Sequence, residues 1–270
     1  MSMVQINTKL HLCVVLIITI FCCRFRLIMK SSLTRILFCV ANIAHFLYVI
    51  NFRWGIKLEG NRYQTFGDDT PLTHFASKFL PFMTYWNVLL QILYFSICLL
   101  NAFFGSQELS KISSSRLQRL RDFLFSTLAF PVAILTTTSF WAIYGVNREL
   151  IWPTFLDKIY PLWVNHMVHS TCMVSQLIEM ITVYHVFPCT KTGMTTTIGF
   201  YLTYLTWVLY LAFNKGVWIY PILEKLPTVG RTLFITVFGV VGGMLFLFGK
   251  TLNGMIWSRY VTNKRPTKNQ

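Results

Sequence analysis

The run from Tyr160 to Tyr184 is apolar and long enough to cross a bilayer, yet it carries Asn165, His166, His169, Gln176 and Glu179. At 100° per residue, Asn165, His169, Cys172, Gln176 and Glu179 fall within about 80° of one another, on one face of a helix. His166 stands beside that face. Ionisable groups at membrane depth are costly and face a protein interior or a wet cavity. The stripe therefore demands a bundle around it, and it marks a candidate functional site.

Composition agrees with a bundle in lipid. The chain is 54% hydrophobic and 12% charged, with a mean hydropathy of +0.54; soluble domains carry about 25% charged residues. Six segments approach the length of a span: Ile36–Phe52, Leu80–Phe104, Phe123–Tyr144, Tyr160–Tyr184, Met194–Phe213 and Leu233–Gly249. The expected fold is all-α, a multipass transmembrane helical bundle of about six spans. Leu10–Cys23 is a further hydrophobic segment, short for a span, with Arg24, Arg26 and Lys30 on its flank. We divide the chain into an N-terminal extension (1–33), a transmembrane bundle (34–257) and a basic tail (258–270).

The net charge of +15 suggests nucleic acid until the charges are placed. Arg24, Arg26, Lys30, Arg35, Lys111, Arg116, Arg119, Arg121, Arg259, Lys264, Arg265 and Lys268 share one side of a six-span topology. The positive-inside rule then puts both ends of the bundle in the cytoplasm, where the tail meets anionic lipid; no nucleic-acid partner is expected. Six of the seven cysteines lie in apolar runs, with Cys189 in a short loop and no metal-type spacing. Gly239 and Gly243 form a Gly-x-x-x-Gly pair that reads as close helix packing.

His166 and His169, at i and i+3, can point into one region of the bundle. Three roles are open to them: satisfied packing, metal binding, or one histidine as general base for a hydroxyl on another helix. A metal needs a third ligand, and Glu179 is about 15 Å further along the same helix. The hydroxyls on offer are Thr84, in a second polar stripe with Asn87, Gln91 and Cys98, and Ser126, Thr127, Thr136, Thr137, Thr138 and Ser139 on the third span. Spacing alone does not choose among them. Gly-x-Ser-x-Gly, Gly-rich phosphate loops and dinucleotide fingerprints are absent from the sequence.

A run of motifs resembles a known family. Leu120-Arg121-Asp122-Phe123, Ala129-Phe130-Pro131-Val132, Phe140-Trp141 and Asn147-Arg148-Glu149-Leu150-Ile151-Trp152-Pro153 carry it first. Trp163-Val164-Asn165-His166-Met167-Val168-His169-Ser170-Thr171, Leu177-Ile178-Glu179, Gly216-Val217-Trp218-Ile219-Tyr220-Pro221 and Leu252-Asn253 continue it. Together they resemble the androgen-induced gene 1 protein family, which includes the androgen-dependent tissue-factor-pathway-inhibitor-regulating protein. The resemblance covers about Ile36 to Trp257.

It implies a membrane threonine hydrolase acting on fatty acid esters of hydroxy fatty acids. The family's threonine matches Thr84, followed by Asn87 and Leu90-Gln91; its histidine is the second of the Asn-His-x-x-His element, His169. The chain lacks the family's Gly-Gly-x-Trp lead before that threonine and adds residues 1 to about 33. The expected site is Thr84 and His169 as the catalytic pair, with Asn165, His166 and Asn87 in support. No cofactor, metal or obligate protein partner is expected; the partners are a lipid substrate and the bilayer of the endoplasmic reticulum or plasma membrane. The alternatives are a multipass transporter and a non-enzymatic scaffold using the same stripe.

Overall fold

The computed structural model of the protein describes residues 32–58, 81–110, 112–158 and 160–263. The hydrophobic segment at Leu10–Cys23 and the histidine at position 74 lie outside them. The described chain is helical: α1 (Ser32–Leu58), α2 (Met83–Phe104), α3 (Arg116–Leu124), α4 (Phe130–Asn147), α5 (Leu162–His169), α6 (Thr171–Thr182), α7 (Thr190–Lys215), α8 (Pro221–Lys225) and α9 (Thr228–Asn263). A π-helical turn, Phe125–Ala129, joins α3 to α4. Among the described residues, five stretches are long and apolar enough to cross a membrane: Ser32–Phe52, Met83–Phe104, Arg116–Leu150, Thr190–Lys215 and Thr228–Ser258.

The sixth expected span, Tyr160–Tyr184, is two helices rather than one, α5 and α6, parted at Ser170. Side chains compete for the backbone at this point. The carbonyl of Met167 accepts the Thr171 hydroxyl at 2.5 Å, and His45 Nε2 lies 3.3 Å from the same oxygen. Trp141 Nε1 donates to Ser170 Oγ at 3.0 Å. Back-bonding hydroxyls of this kind bend helices. The stripe survives the break: Asn165, His169, Cys172, Gln176 and Glu179 are all buried.

Pro131 explains the wide turn before α4. A proline inside a helix has no N–H to donate and its ring crowds the carbonyl four residues back. That carbonyl belongs to Thr127, and it accepts the Thr197 hydroxyl of α7 at 2.7 Å instead. Ala129 O, in the same turn, accepts Gln91 Nε2 of α2 at 3.1 Å. A π turn placed by proline thus becomes a point where α2 and α7 dock onto the α3–α4 rod.

The core gathers α1, α2, the π turn, α4 and α6 around Phe46, Tyr94, Phe95, Phe125, Phe130 and Met180. Helix α9 packs along α7, where a Cβ at Gly242 would run into the Tyr201 ring and Gly243 faces Ile198. Gly239, the other glycine of the pair, meets no neighbour and borders a cavity instead. Helix α7 ends at Gly216, whose φ of 68° needs a residue without a Cβ; the next amide, Val217, reaches back to Leu211 O at 3.3 Å. Leu37, Val40 and Leu47 on α1 and Val237, Met244 and Phe248 on α9 are exposed, an apolar girdle suited to lipid. Helix α9 runs on to Asn263, beyond the bundle boundary at 257 expected from sequence.

Candidate active site

Thr84 is the second residue of α2, and what precedes it decides where it sits. The first amides of a helix lack partners within the helix, and Phe82 at the cap offers no side-chain acceptor. Two tyrosines from elsewhere supply one. Met83 N–H donates to Tyr204 Oη at 2.8 Å and to Tyr220 Oη at 3.1 Å. The two hydroxyls meet at 2.7 Å, and Tyr204 also donates to Pro81 O at 3.0 Å. The end of α2 is thereby tied to α7 and to the turn before α8, and the positive end of its dipole lies at Thr84.

His169 closes the last turn of α5. Its Nε2 lies 3.0 Å from Thr84 Oγ1. Its Nδ1 lies 2.6 Å from Asn165 Oδ1 and 3.2 Å from Asn165 O. A backbone carbonyl only accepts, so the proton belongs on Nδ1 and the Nε2 lone pair faces the threonine hydroxyl. Phe140 of α4 lies flat on the imidazole, with centroids 3.5 Å apart and planes 10° apart; Trp152 meets it edge-on at 6.0 Å. The ring has little room to turn. Residues 84, 169 and 165 form a hydroxyl–imidazole–amide chain, the order that activates a nucleophile.

Both Thr84 and His169 open onto a cavity of about 240 Å³. Its wall is largely apolar: Phe82, Met83, Leu135, Phe140, Ile143, Trp152, Leu205, Phe234 and Phe238 contribute, with Thr136, Ser139 and Tyr201 among the few polar members. Trp152 is placed by a clasp on the loop after α4. Its Nε1 donates to Asp157 Oδ1 at 2.9 Å, and Arg148 binds both oxygens of Asp157 at 2.7 Å.

The sequence profile of the family described as FAR-17a/AIG1-like protein matches residues 40–254 of this chain. The chain belongs to that family. Human androgen-induced gene 1 protein is 35% identical over 183 residues, which is 65% of this chain and 76% of the relative. Human androgen-dependent TFPI-regulating protein is 34% identical over 176 residues, 65% and 76% of the two chains. The Mesocricetus auratus protein of the latter name is 31% identical over 237 residues, 85% of this chain and 96% of its own. No solved structure gives a significant match.

In this FAR-17a/AIG1-like chain the remaining residues singled out from sequence are distributed unevenly around the pair. Asn165 is buried against His169. His166, one position on, is exposed; its ring stacks on Trp141 at 4.9 Å and its Nδ1 lies 3.2 Å from Ser170 Oγ. The two histidines therefore diverge, contrary to the shared direction their spacing allowed. Asn87 is buried one turn below Thr84 but belongs to an amide ladder: Gln91 Nε2 donates to Asn87 Oδ1 at 2.9 Å, and Gln176 Nε2 to Gln91 Oε1 at 2.5 Å. It does not border the cavity. Of the rival hydroxyls on the third span, Ser126 and Thr127 return to Phe123 O, Thr138 to Ile134 O and Ser139 to Leu135 O.

Sequence reasoning missed Tyr204, Tyr220, Phe140 and Trp152 as builders of the site. Phe140, Trp152 and Tyr220 stand in the motifs that carry the family resemblance, but nothing in those motifs gives them a role at the site; Tyr204, in the middle of its expected span, has no signal beyond its aromatic character.

Glu179, the last member of the stripe, joins a second cluster at the far end of the bundle. It accepts from Arg35 at 3.1 Å and from Tyr94 Oη at 3.0 Å. His185 Nε2 stands 3.8 Å away, and the other nitrogen of that ring is 2.9 Å from Asp122, itself bound to Arg121 at 2.7 Å. Arg35 and Arg121 were counted from sequence as flanking charges of the cytoplasmic side. Both are buried in ion pairs, because Glu179 and Asp122 draw them into the bundle.

Proposed function

We propose that this protein is a membrane-embedded hydrolase of lipid esters, with fatty acid esters of hydroxy fatty acids as substrates. The observation that carries the reading is the 3.0 Å approach of Thr84 Oγ1 to His169 Nε2 on the wall of an apolar cavity. Family membership supports it, since the threonine and histidine expected from the resemblance are the two residues that meet. His169 Nε2 takes the proton as Thr84 Oγ1 bonds to the ester carbonyl carbon. Collapse of the tetrahedral adduct breaks the bond to the hydroxy acid's oxygen, which leaves with the proton from His169. Acyl-Thr84 remains. Water then adds to the acyl carbon while His169 takes its proton, and the proton returns to Thr84 Oγ1 as the fatty acid departs. Asn165 holds the imidazole in the tautomer this sequence requires.

The cavity suits a substrate with two acyl chains and one polar linkage. Transport along the stripe is disfavoured by the same geometry: below the pair, Gln176 and Glu179 are tied to Gln91, Arg35 and Tyr94. We place the ester site at the end of the bundle that the positive-inside rule assigns to the non-cytoplasmic side, with the N- and C-termini in the cytoplasm. Labelling the purified protein with a fluorophosphonate probe and mapping the adduct tests the assignment. Label on Thr84, absent in His169→Ala, is expected; label elsewhere, or equal label in both proteins, would overturn it.

A further inference from the structure

Two polar groups on the cavity wall take no part in the proton path described above. Tyr201 of α7 and Thr136 of α4 both border the cavity, and the residues are 8% and 6% exposed. Among the described residues neither hydroxyl has a hydrogen-bond partner. On the same helix as Thr136, Thr138 and Ser139 donate to carbonyls at 2.7 and 2.6 Å, whereas the buried Thr137 hydroxyl also has no partner among the described residues but does not border the cavity. A buried hydroxyl without an acceptor is destabilising, so such groups call for a specific reason. A ligand in the cavity supplies one.

Their placement ties them to the pair. Thr136 lies one turn before Phe140 on α4, on the same side of the helix, and Phe140 carries the His169 ring. Tyr201 lies one turn before Tyr204 on α7, and Tyr204 holds the amide next to Thr84. The Tyr201 ring is also fixed: α9 comes so close at Gly242 that a methyl group there would overlap it, and Leu90, Val132 and Leu135 pack around it. A clamped ring leaves its hydroxyl little freedom of direction.

We propose that the hydroxyls of Tyr201 and Thr136 donate to the carbonyl oxygen of the bound ester. This rests on the Thr84–His169 reading. The carbonyl oxygen gains a negative charge when Thr84 attacks and again when water attacks acyl-Thr84, and it loses that charge each time the adduct collapses. Two fixed neutral donors in an apolar cavity stabilise that passing charge without leaving a buried ion between turnovers. They also fill a role open to neither Asn87, which does not border the cavity, nor His166, which is exposed and also lies off its wall.

Tyr201→Phe and Thr136→Val each delete one donor and keep the shape. With a long-chain acyl ester of a hydroxy fatty acid, each is expected to lower kcat roughly 10²-fold and to leave KM within about threefold. Thr136→Ser restores the rate. The decisive readout is the thionoester analogue, whose sulfur accepts hydrogen bonds poorly. The wild-type preference for the oxygen ester shrinks in both variants, which a packing role would not cause. Should Tyr201→Phe fail to fold, Thr136→Val with its serine rescue decides alone. Wild-type kcat, or an unchanged oxygen-over-sulfur preference, in folded variants overturns the inference. If Thr84→Ala is inactive in parallel, the nucleophile assignment stands regardless; activity in Thr84→Ala overturns that assignment itself.

Discussion

The two ends of the bundle bury polar groups by opposite rules. At one end Thr84, His169 and Asn165 are neutral and linked in a single chain, and the first two face a cavity of about 240 Å³. At the other, Arg35, Glu179, Arg121 and Asp122 are charges of both signs, locked together beside His185. One residue stripe, 165 to 179, supplies both ends. Neutral groups keep a proton available for transfer and leave space for a ligand. Paired ions hold helices at fixed positions and leave no such space. On the proposed function, chemistry and scaffolding are separated along one stripe that crosses the break at Ser170.

Removing the proposed nucleophile or the proposed base should affect activity at one end alone. Thr84→Ala and His169→Ala are each expected to lower ester hydrolysis by at least about 10³-fold, as loss of a nucleophile or its base does elsewhere. Thermal unfolding of Thr84→Ala in detergent should stay near wild type, since Thr84 is only half-buried and meets no ion. Comparable loss of stability and activity would show that the pair is structural.

The converse change is Glu179→Ala. Deleting one member of a buried pair strands the other, here Arg35 with Tyr94 and His185 around it, at a cost of about 3–5 kcal/mol. The expected result is a lower unfolding temperature and yield, with kcat per folded molecule unchanged. Arg35→Met with Glu179→Leu should recover much of the stability, because no charge is left behind. A double variant as unstable as the single one would mean that the ions matter for more than their mutual pairing.

Asn165 lies between these extremes. Asn165→Ala removes the Oδ1 contact to His169 Nδ1 but leaves the backbone carbonyl at 3.2 Å. Half the restraint persists, so a loss in kcat of about 10-fold to 10²-fold is expected, well short of His169→Ala. A steady-state measurement that finds the two variants equal would make the amide indispensable for the tautomer.

How much of this arrangement is legible in the chain depends on what each residue has to do. The stripe is readable because polar residues at membrane depth must share a face, and all five members are buried. The meeting of Thr84 with His169 is not readable from spacing: it depends on where α2 begins, and that is set by Tyr204 and Tyr220, 120 and more residues away. Pro131 is visible in the sequence, but its consequence lies in Thr197 and Gln91, which take up carbonyls near the π turn. The break at Ser170 likewise follows from His45 and Trp141, on other helices. Arg35 reads as a surface charge because its partner, Glu179, is distant in sequence; Arg121 reads as one although its partner, Asp122, is the next residue, because the packing that buries that pair comes from other helices. Periodicity reports what one helix must bury. It is silent on which neighbour completes a pair.

The tyrosine tie should give a smaller effect than any of these. Tyr220→Phe removes one of two acceptors from Met83 N–H while Tyr204 retains the other. One neutral hydrogen bond is worth about 1 kcal/mol, so a several-fold fall in kcat is the expected scale. Wild-type kinetics would assign the anchoring of α2 to Tyr204 alone.

The smallest effect belongs to the clasp that places Trp152, and pH is the way to reach it. Hydrogen bonds from Arg148, and after them from Trp152, hold the Asp157 carboxyl below its ordinary range. A depressed carboxyl contributes order above its unfolded value, near 3.9, and that contribution is lost as pH falls through the folded value beneath it. The clasp is therefore intact at neutral pH and opens only in acid. Its side chains are 30% and 51% exposed, so salt and solvent screen it, and its opening should loosen a loop without unfolding the bundle. Tryptophan fluorescence of wild type against Asp157→Asn measures this directly. The variant at pH 7 should match wild type taken below the folded value of the carboxyl, itself under the ordinary carboxylate range, and the two should converge there. A difference that persists in acid would mean that Asp157 acts on Trp152 through something other than its charge.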